Sequence, residues 1–341
     1  MSFWDKLFRA KTTVEPPRES INTYTPMEDY SNNPLEVSKI KIEKTFTMCC
    51  VTWNMHGLCP TQKDVNILLE PHKGYDIIAI GTEECLRSIF ISLFYDNKGQ
   101  WEIMLKRCLG KEYEIVSSKT LSSIHLIVFI KKEYHSVISK IGTNVVKAGI
   151  SNILGNKGGV GIWFRLYNMS ILIINAHLAS GKKQTERRNS DFTHIISNMT
   201  DKIDITNFVI FMGDLNYRIN KEVNEIREKI TKSNDYLQFL EFDQLHSEKS
   251  QGRLKAVGFQ EGIITFNPTY KFADGSSEYK IDSDNHVPSW TDRIIYLKQL
   301  FVSNAIFDAS LFEYNSQTDV LMSDHKPVYA YFKISVQVPM E

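Results

Sequence analysis

The sequence is poor in the features that send a chain into a bilayer or an oxidising compartment. No apolar run approaches the ~20 residues that span a membrane; the longest stretches, such as residues 171–174, are strand-sized. A secretory leader is missing, Ser2 rules out N-myristoylation, and Val338-Pro339-Met340-Glu341 offers no prenylation cysteine. Cysteine is scarce: Cys49, Cys50, Cys59, Cys85 and Cys108 form an odd set in the first third, with no Cys-x-x-Cys pair and no zinc spacing. That pattern points to reduced thiols. Charge of one sign is also absent, since 40 Lys and Arg balance 40 Asp and Glu. A nucleic-acid binder usually shows a net basic face, although a local basic pocket can hide in a balanced total. Several phosphate chemistries lack their motif. No cysteine is followed six residues later by arginine, which a cysteinyl-phosphate mechanism needs. Gly155-Asn156-Lys157-Gly158-Gly159 lacks the spacing and the Ser/Thr of a Walker loop. Asp282 and Asp284 follow no apolar strand of the kind that carries an aspartyl nucleophile.

What is present suffices for a sizeable core: 341 residues, 42% of them apolar. Phe3, Trp4, Leu7 and Phe8 recur at helical spacing, and a polar stretch with Pro16, Pro17, Pro26 and Pro34 follows. Residues 1–43 therefore read as an amphipathic segment and linker, 44–335 as the folded domain, and 336–341 as a short tail. Within the domain, strands are predicted at 46–52, 77–80, 124–129, 159–166, 171–176, 208–212, 294–296 and 328–334. Helices are predicted at 100–109, 185–199 and 221–230. Strands come in bunches with helices between the bunches. That order suggests an α/β chain with two sheets face to face and helices outside.

Polar residues gather just beyond the strand ends. Asn54 and His56 follow the first strand, Glu83 and Glu84 the second, Asn175 and His177 the fifth, and Asp214 and Asn216 the sixth. Asp324 and His325 precede the last strand. Residues two apart in extended chain share a face, so each such pair can point one way at a common rim. Phosphate monoesters hydrolyse very slowly in water, and their negative charge repels a nucleophile. A divalent metal on oxygen donors offsets that charge, an acidic group orients water, and imidazoles donate to the phosphoryl oxygens. Glu84, Asp214, Asp292, Asp324, Asn54, Asn216, His177 and His325 supply those parts, so the residues alone indicate metal-assisted phosphoester hydrolysis.

The ordered motifs say more. Trp53-Asn54-Met55-His56-Gly57, Gly81-Thr82-Glu83-Glu84 and Gly155-Asn156-Lys157-Gly158-Gly159-Val160 come first, followed by His177-Leu178-Ala179-Ser180-Gly181. Then come Phe211-Met212-Gly213-Asp214-Leu215-Asn216-Tyr217-Arg218, Pro268-Thr269-Tyr270-Lys271, Pro288-Ser289-Trp290-Thr291-Asp292-Arg293-Ile294 and Ser323-Asp324-His325-Lys326-Pro327-Val328. Over residues 44–335 this resembles the inositol polyphosphate 5-phosphatase family of the endonuclease/exonuclease/phosphatase superfamily. The resemblance implies a four-layered α/β sandwich of two mostly antiparallel sheets, with Mg²⁺ at its mouth. It implies Glu84 as the main metal ligand, assisted by Asn54, with Asp324 in or next to the metal shell. Asp214 would orient or deprotonate the attacking water, and Asn216 would hold the phosphate. Asp292 would pair with His325, and His177 would bind a phosphoryl oxygen. Tyr270 and Lys271 match residues that contact the 4-phosphate. Asn156, Lys157, Arg188 and Asn189, with Arg187, match positions around the inositol ring.

The implied substrates are phosphoinositide lipids at a membrane surface and soluble inositol phosphates, with no nucleic acid. The implied location is cytoplasmic, peripheral to the cytosolic face of membranes. A nuclease of the same superfamily and a non-catalytic phosphoinositide-binding module are the competing readings. The chain departs from its relatives where Glu83 replaces a common Gln, adding negative charge beside the metal site. It departs again where Asp284 and His286 replace Lys and Arg. The apolar run from Ile89 to Tyr95 reads equally as core or as a loop that dips into lipid.

Overall fold

The computed structural model of the protein describes residues 41–85, 98–148, 157–233, 235–254, 258–283, 286–300, 302–303 and 305–340. The N-terminal segment, the 89–95 run, Asn156 and Asp284 lie outside the described residues.

The strands are β1 (Lys41–Asn54), β2 (Ile77–Glu83), β3 (Tyr113–Leu121), β4 (Ile124–Lys131), β5 (Ile138–Lys147), β6 (Gly158–Leu166), β7 (Met169–His177), β8 (Phe208–Asp214), β9 (Gln260–Glu261), β10 (Asp292–Lys298), β11 (Phe307–Ser316) and β12 (Val328–Pro339). They form two six-stranded sheets, ordered β11-β12-β1-β2-β4-β3 and β5-β6-β7-β8-β10-β9. Each has one parallel pair at its centre, β1 with β2 and β7 with β8, flanked by antiparallel neighbours. A parallel pair needs a crossover. Helix α1 (Gln62–Leu69) supplies the first, and α3 (Thr185–Ser197) with α4 (Thr200–Ile203) the second. Helix α1 is started by a reciprocal cap between Thr61 and Asp64. Three more helices, α2 (Lys98–Leu109), α5 (Val223–Ser233) and α6 (Gln244–Ser250), complete the set used below.

Side-chain alternation along the central strands builds the layers. On β1, Met48 and Cys50 face the core between the sheets, where they meet Ile162, Ile173 and Ile210. Cys49 and Val51 face the other way, onto Val65 and Leu68 of α1 and onto Trp101 and Leu105 of α2. On β7 and β8, Leu172, Ile174, Val209 and Phe211 pack under Phe192 and Ile195 of α3. The result is helix, sheet, sheet, helix, the expected sandwich. Strands covered on both faces carry apolar runs, as residues 171–174 of β7 do, and β7 is buried from end to end.

All eight predicted strands lie within observed ones. The sequence reading missed the strands β3, β5, β9 and β11 and the helices α1, α4 and α6. The four strands are edges, where solvent on one side leaves polar and glycine-bearing sequences such as Ile-Ser-Lys-Ile-Gly-Thr-Asn-Val-Val-Lys in β5. β1 begins at Lys41 and β12 ends at Pro339, and these two residues are partners. The sheet thus runs past both expected domain boundaries.

Arg293 on β10 ties this scaffold to α6. It donates to Glu261 through Nε at 2.6 Å and Nη2 at 2.9 Å, and to Asp243 through Nη1 at 3.0 Å, with Arg293 and Asp243 fully buried. Removing one partner of a buried pair strands the other charge. Arg293→Met is therefore expected to lower unfolding stability by about 3–5 kcal/mol, measured by urea titration. A loss of under about 1 kcal/mol, the range of exposed pairs, would refute that role.

Candidate active site

Strand register assembles the site. In the second sheet Gly158 lies opposite His177, His177 opposite Asp214, and Asp214 opposite Asp292, so one row crosses β6, β7, β8 and β10. The row sits at the C-terminal ends of the parallel pair β7 and β8, and the matching end of the other sheet carries Asn54 and Glu83. Asn54 Nδ2 donates across to Asp214 Oδ2 at 2.9 Å, closing the rim. Gly213 makes the approach possible: its φ is +140°, and a Cβ there would stand 1.9 Å from the Ala176 carbonyl oxygen. Only glycine lets β8 run this close to β7 just before Asp214.

Asp214 is buried. It accepts from Asn54, from the Asn216 N–H at 3.1 Å, and has His177 Nε2 at 3.2 Å. Burial disfavours its charge, but His177, His325 and Lys157 outweigh this and hold the carboxyl well below the usual range. His177 is lowered by burial and by the Lys157 ammonium, which contacts its Nε2. A charged Asp214 beside a neutral His177 is the arrangement both directions support, with His325 and Lys157 as the compensating cations.

Asp292 accepts from Thr269 Oγ1 at 2.6 Å and from Thr291 Oγ1 at 2.8 Å, and His325 Nδ1 lies 2.9 Å away. Burial opposes the imidazolium. Asp292, with Asp214 and Asp324 farther off, overrides it and pushes His325 up to about 10. Ligand atoms of Asp214, Asp292 and His325 lie within 4.8 Å of one another. This trio is nonetheless a poor metal shell, because the imidazolium already occupies the cation's place.

Oxygen donors for a hard cation lie on the other sheet's rim. Asn54 Oδ1 accepts the His56 N–H at 2.9 Å. Glu84 sits where β2 ends, at φ +49°. Asp324 is buried, and its Oδ1 accepts no hydrogen bond, with His56 Nδ1 at 3.1 Å. A carboxylate oxygen buried without a hydrogen bond, together with Asn54 and Glu84, fits a divalent ion with oxygen preference. His56 was noticed at the strand end but not chosen as a site residue; its contact with Asp324 was invisible in sequence.

Glu83 does not add the charge expected of it. Its side chain is fully buried and accepts from Thr52 Oγ1 at 3.2 Å. Burial and the nearby Asp214 and Asp292 push its carboxyl well above the usual range. A carboxyl that keeps its proton can donate as well as accept, as an amide does.

Two expected substrate contacts belong to the scaffold instead. Arg188 is fully buried and donates to the Gly181 carbonyl at 2.7 Å, to the Ala179 carbonyl at 3.1 Å and to Gln244 Oε1. Asn189 donates to Glu248 at 2.8 Å and accepts from Tyr217 at 2.8 Å. Both face inward because α3 turns that side onto α6. Arg187 pairs with Asp191 at 2.9 Å. Asn216 also differs from expectation. Its Nδ2 donates to the Leu178 carbonyl at 3.2 Å and its Oδ1 accepts from Arg218 at 2.7 Å, so it shapes the loop that aims Asp214. His286 spends its Nδ1 on Asp282. Tyr270 and Lys271 do reach the site, the first against His325 and the second 3.1 Å from Asp324 Oδ2.

Comparison with known proteins agrees with this geometry. A family model described as Endonuclease/Exonuclease/phosphatase family 2 matches residues 51–331. Human synaptojanin-2 is 30% identical over 291 residues, covering 77% of this chain and 19% of that protein. The mouse type II inositol 1,4,5-trisphosphate 5-phosphatase is 31% identical over 308 residues, covering 85% of this chain and 30% of that protein. The chain thus spans under a third of either relative. Among solved structures, the inositol polyphosphate 5-phosphatase domain of SPsynaptojanin, in complex with inositol (1,4)-bisphosphate and calcium, superposes with a TM-score of 0.73 at 28% identity. That match covers 87% of this chain and 86% of that one.

The Glu83 environment has a signature in stability. An acid whose folded pKa is raised keeps its proton after the unfolded chain has lost its own, so stability falls as pH rises above the ordinary carboxylate range. Glu83→Gln lacks that slope. In EDTA, the variant's advantage over the native protein should widen between pH 5 and pH 8 in denaturation curves. Parallel pH profiles would mean that Glu83 is charged.

Proposed function

Since the chain belongs to endonuclease/exonuclease/phosphatase family 2, and within it to the inositol polyphosphate 5-phosphatases, we propose that it removes the 5-phosphate from phosphoinositides. The substrates would be phosphatidylinositol 4,5-bisphosphate and 3,4,5-trisphosphate, together with soluble inositol phosphates. The observation that carries the reading is the buried row of Asp214 and Asp292, compensated by His325, at the rim where Asn54 meets Asp214. Attack of water on a phosphate monoester needs a fixed carboxylate for the water and fixed positive charge for the phosphoryl oxygens, and this row holds both.

Glu84, Asn54 and Asp324 would hold Mg²⁺. When bound, the ion would neutralise phosphate charge and act as a Lewis acid. The chain's own groups do the rest. Asp214 is held far below the operating pH, which makes it a weak proton acceptor and a strong acceptor of hydrogen bonds; it orients the water. His325 is a permanent donor at neutral pH, with Asp292 on Nδ1 leaving Nε2 for a phosphoryl oxygen. Its fixed charge stabilises the transition state without reorganisation. Lys157 adds a second cation beside His177. Lys271 would meet the ring 4-phosphate, drawing on the ammonium now paired with Asp324. Among the described residues no helix is long and apolar enough to cross a membrane; peripheral contact with the cytosolic face is part of the proposal.

The test is phosphate release from a panel of soluble and vesicle-borne inositides. EDTA should abolish release and Mg²⁺ restore it. Asp214→Ala should lower kcat by about 10²–10⁴-fold, the usual size of a positioned acid–base or orienting group. Full activity in EDTA, or a loss below about tenfold, would remove the mechanism.

A further inference from the structure

Three consecutive residues each touch a different group of the site. Thr269 Oγ1 donates to Asp292 at 2.6 Å, the Tyr270 ring lies 4.5 Å from the His325 ring at a 40° tilt, and Lys271 Nζ is 3.1 Å from Asp324. Backbone bridges join Tyr270 to Ser289 and to His325. The segment therefore spans the gap between the approaches to β10 and β12.

Arg218 reaches this segment from a third direction. Its guanidinium carbon stands 4.3 Å from the centre of the Tyr270 ring. The same guanidinium donates through Nη2 to Asn216 Oδ1 at 2.7 Å and through Nε to the Asn216 carbonyl at 3.2 Å. The Asn216 N–H in turn donates to Asp214 Oδ1 at 3.1 Å. An unbroken line of contacts thus runs from His325 through Tyr270, Arg218 and Asn216 to Asp214. Arg218 is only 5% exposed, so it has little free surface to offer a ligand. A planar fork suits both tasks at once, stacking on a ring with one face and donating in its plane; lysine, a point donor with no plane, cannot combine them in this way.

We propose that Arg218 is a positioning residue that couples the two halves of the site. It holds the Tyr270 ring against His325 and fixes the loop that aims Asp214, so the imidazole and the carboxylate keep their places relative to one phosphoryl group. Tyr270 then serves through its ring, whatever its hydroxyl meets. The proposal rests on the phosphatase reading for its kinetic consequence, and on geometry alone for its structural one.

Two measurements on the whole chain test it. On a saturating soluble inositol phosphate, Arg218→Lys and Tyr270→Leu should each lower kcat by about ten- to hundredfold, as small misplacements of reacting groups do, with KM changed less than about threefold. Tyr270→Phe, which keeps the ring, should lose clearly less kcat than Tyr270→Leu. The double variant Arg218→Lys/Tyr270→Leu should be no slower than the worse single one, because both break the same line. Independently of activity, the His325 ring proton should carry a ring-current shift in the native protein and in Tyr270→Phe, and lose it in Tyr270→Leu and Arg218→Lys, as read by histidine-selective NMR. The proposal is overturned if Arg218→Lys leaves both kcat and the His325 signal unchanged. Multiplying losses in the double variant, or a Tyr270→Phe loss equal to that of Tyr270→Leu, would overturn it too. If the native protein releases no phosphate while the His325 signals behave as stated, the positioning contact is supported and only the activity is overturned.

Discussion

Two carboxylates that the register of β8 and β10 sets side by side govern the rest of the site. Asp214 and Asp292 face one another across the pair and are both buried. At ~5 Å and an effective dielectric of ~20, two such charges repel by roughly 3 kcal/mol, and burial adds to that. Nearly every polar group nearby is arranged to offset it. Two threonine hydroxyls and His325 meet Asp292; the Asn54 amide and the Asn216 N–H meet Asp214. Glu83, at the end of β2 on the other sheet, feels the same field, and burial with both carboxylates pushes its carboxyl well above the usual range. The same field that would attract a divalent ion also makes His325 a lasting cation, so one electrostatic strain prepares both the metal side and the phosphoryl side of the rim.

How much of this could be read from the sequence depended on burial. Central strands sandwiched between helices and the opposite sheet must be apolar along their whole length, so their abrupt polar ends stood out. Asn54, His177 and Asp214 were found that way. Edge strands such as β5 obey a weaker rule and were missed. Side-chain direction was the harder problem. Arg188 and Asn189 belong to a basic stretch, and composition cannot say that α3 turns them onto Gln244 and Glu248. The family resemblance implied Asn216 as a phosphate holder, and its two-residue spacing from Asp214 suggested that both side chains point one way, but its φ of +57° breaks the extended geometry that the spacing argument assumes.

Arg218 and Arg293 carry the opposite lesson. Both stand inside the ordered motifs, Arg218 after Asn216 and Tyr217 and Arg293 after Asp292, and neither side chain meets a phosphate group directly in the arrangement proposed. For Arg293 a signal existed. It follows Asp292 in a strand, and neighbours in a strand point to opposite faces. If Asp292 faces the site, Arg293 must face away, and a buried guanidinium there needs carboxylates, which Asp243 and Glu261 supply. Arg218 had no comparable signal, since its partner Tyr270 is remote in sequence and reaches it only through the fold.

The division of labour between the sheets constrains how the protein can work. The first sheet brings Asn54, Glu84 and, on the approach to β12, Asp324 and His325; the second brings His177, Asp214 and Asp292. The oxygen donors proposed for the metal and the carboxylate proposed to orient water thus lie on different layers, and their relative position is set by packing between the sheets. Among the described residues several polar contacts cross that seam, His325 with Asp292 and the Tyr314 hydroxyl with Glu261 among them. Asn54 reaches Asp214, and Asn175 on β7 donates to the carbonyls of Thr82 and His125 on the other sheet. Gly81 is what admits the Asn175 amide, since a Cβ there would stand 2.2 Å from its Oδ1. The apolar core between the sheets, from Met48 and Cys50 to Ile173 and Ile210, therefore acts on chemistry as well as on stability. Close-packed interiors transmit displacement rather than absorb it, so a shift of one sheet against the other moves Asn54, Glu84 and Asp324 relative to Asp214.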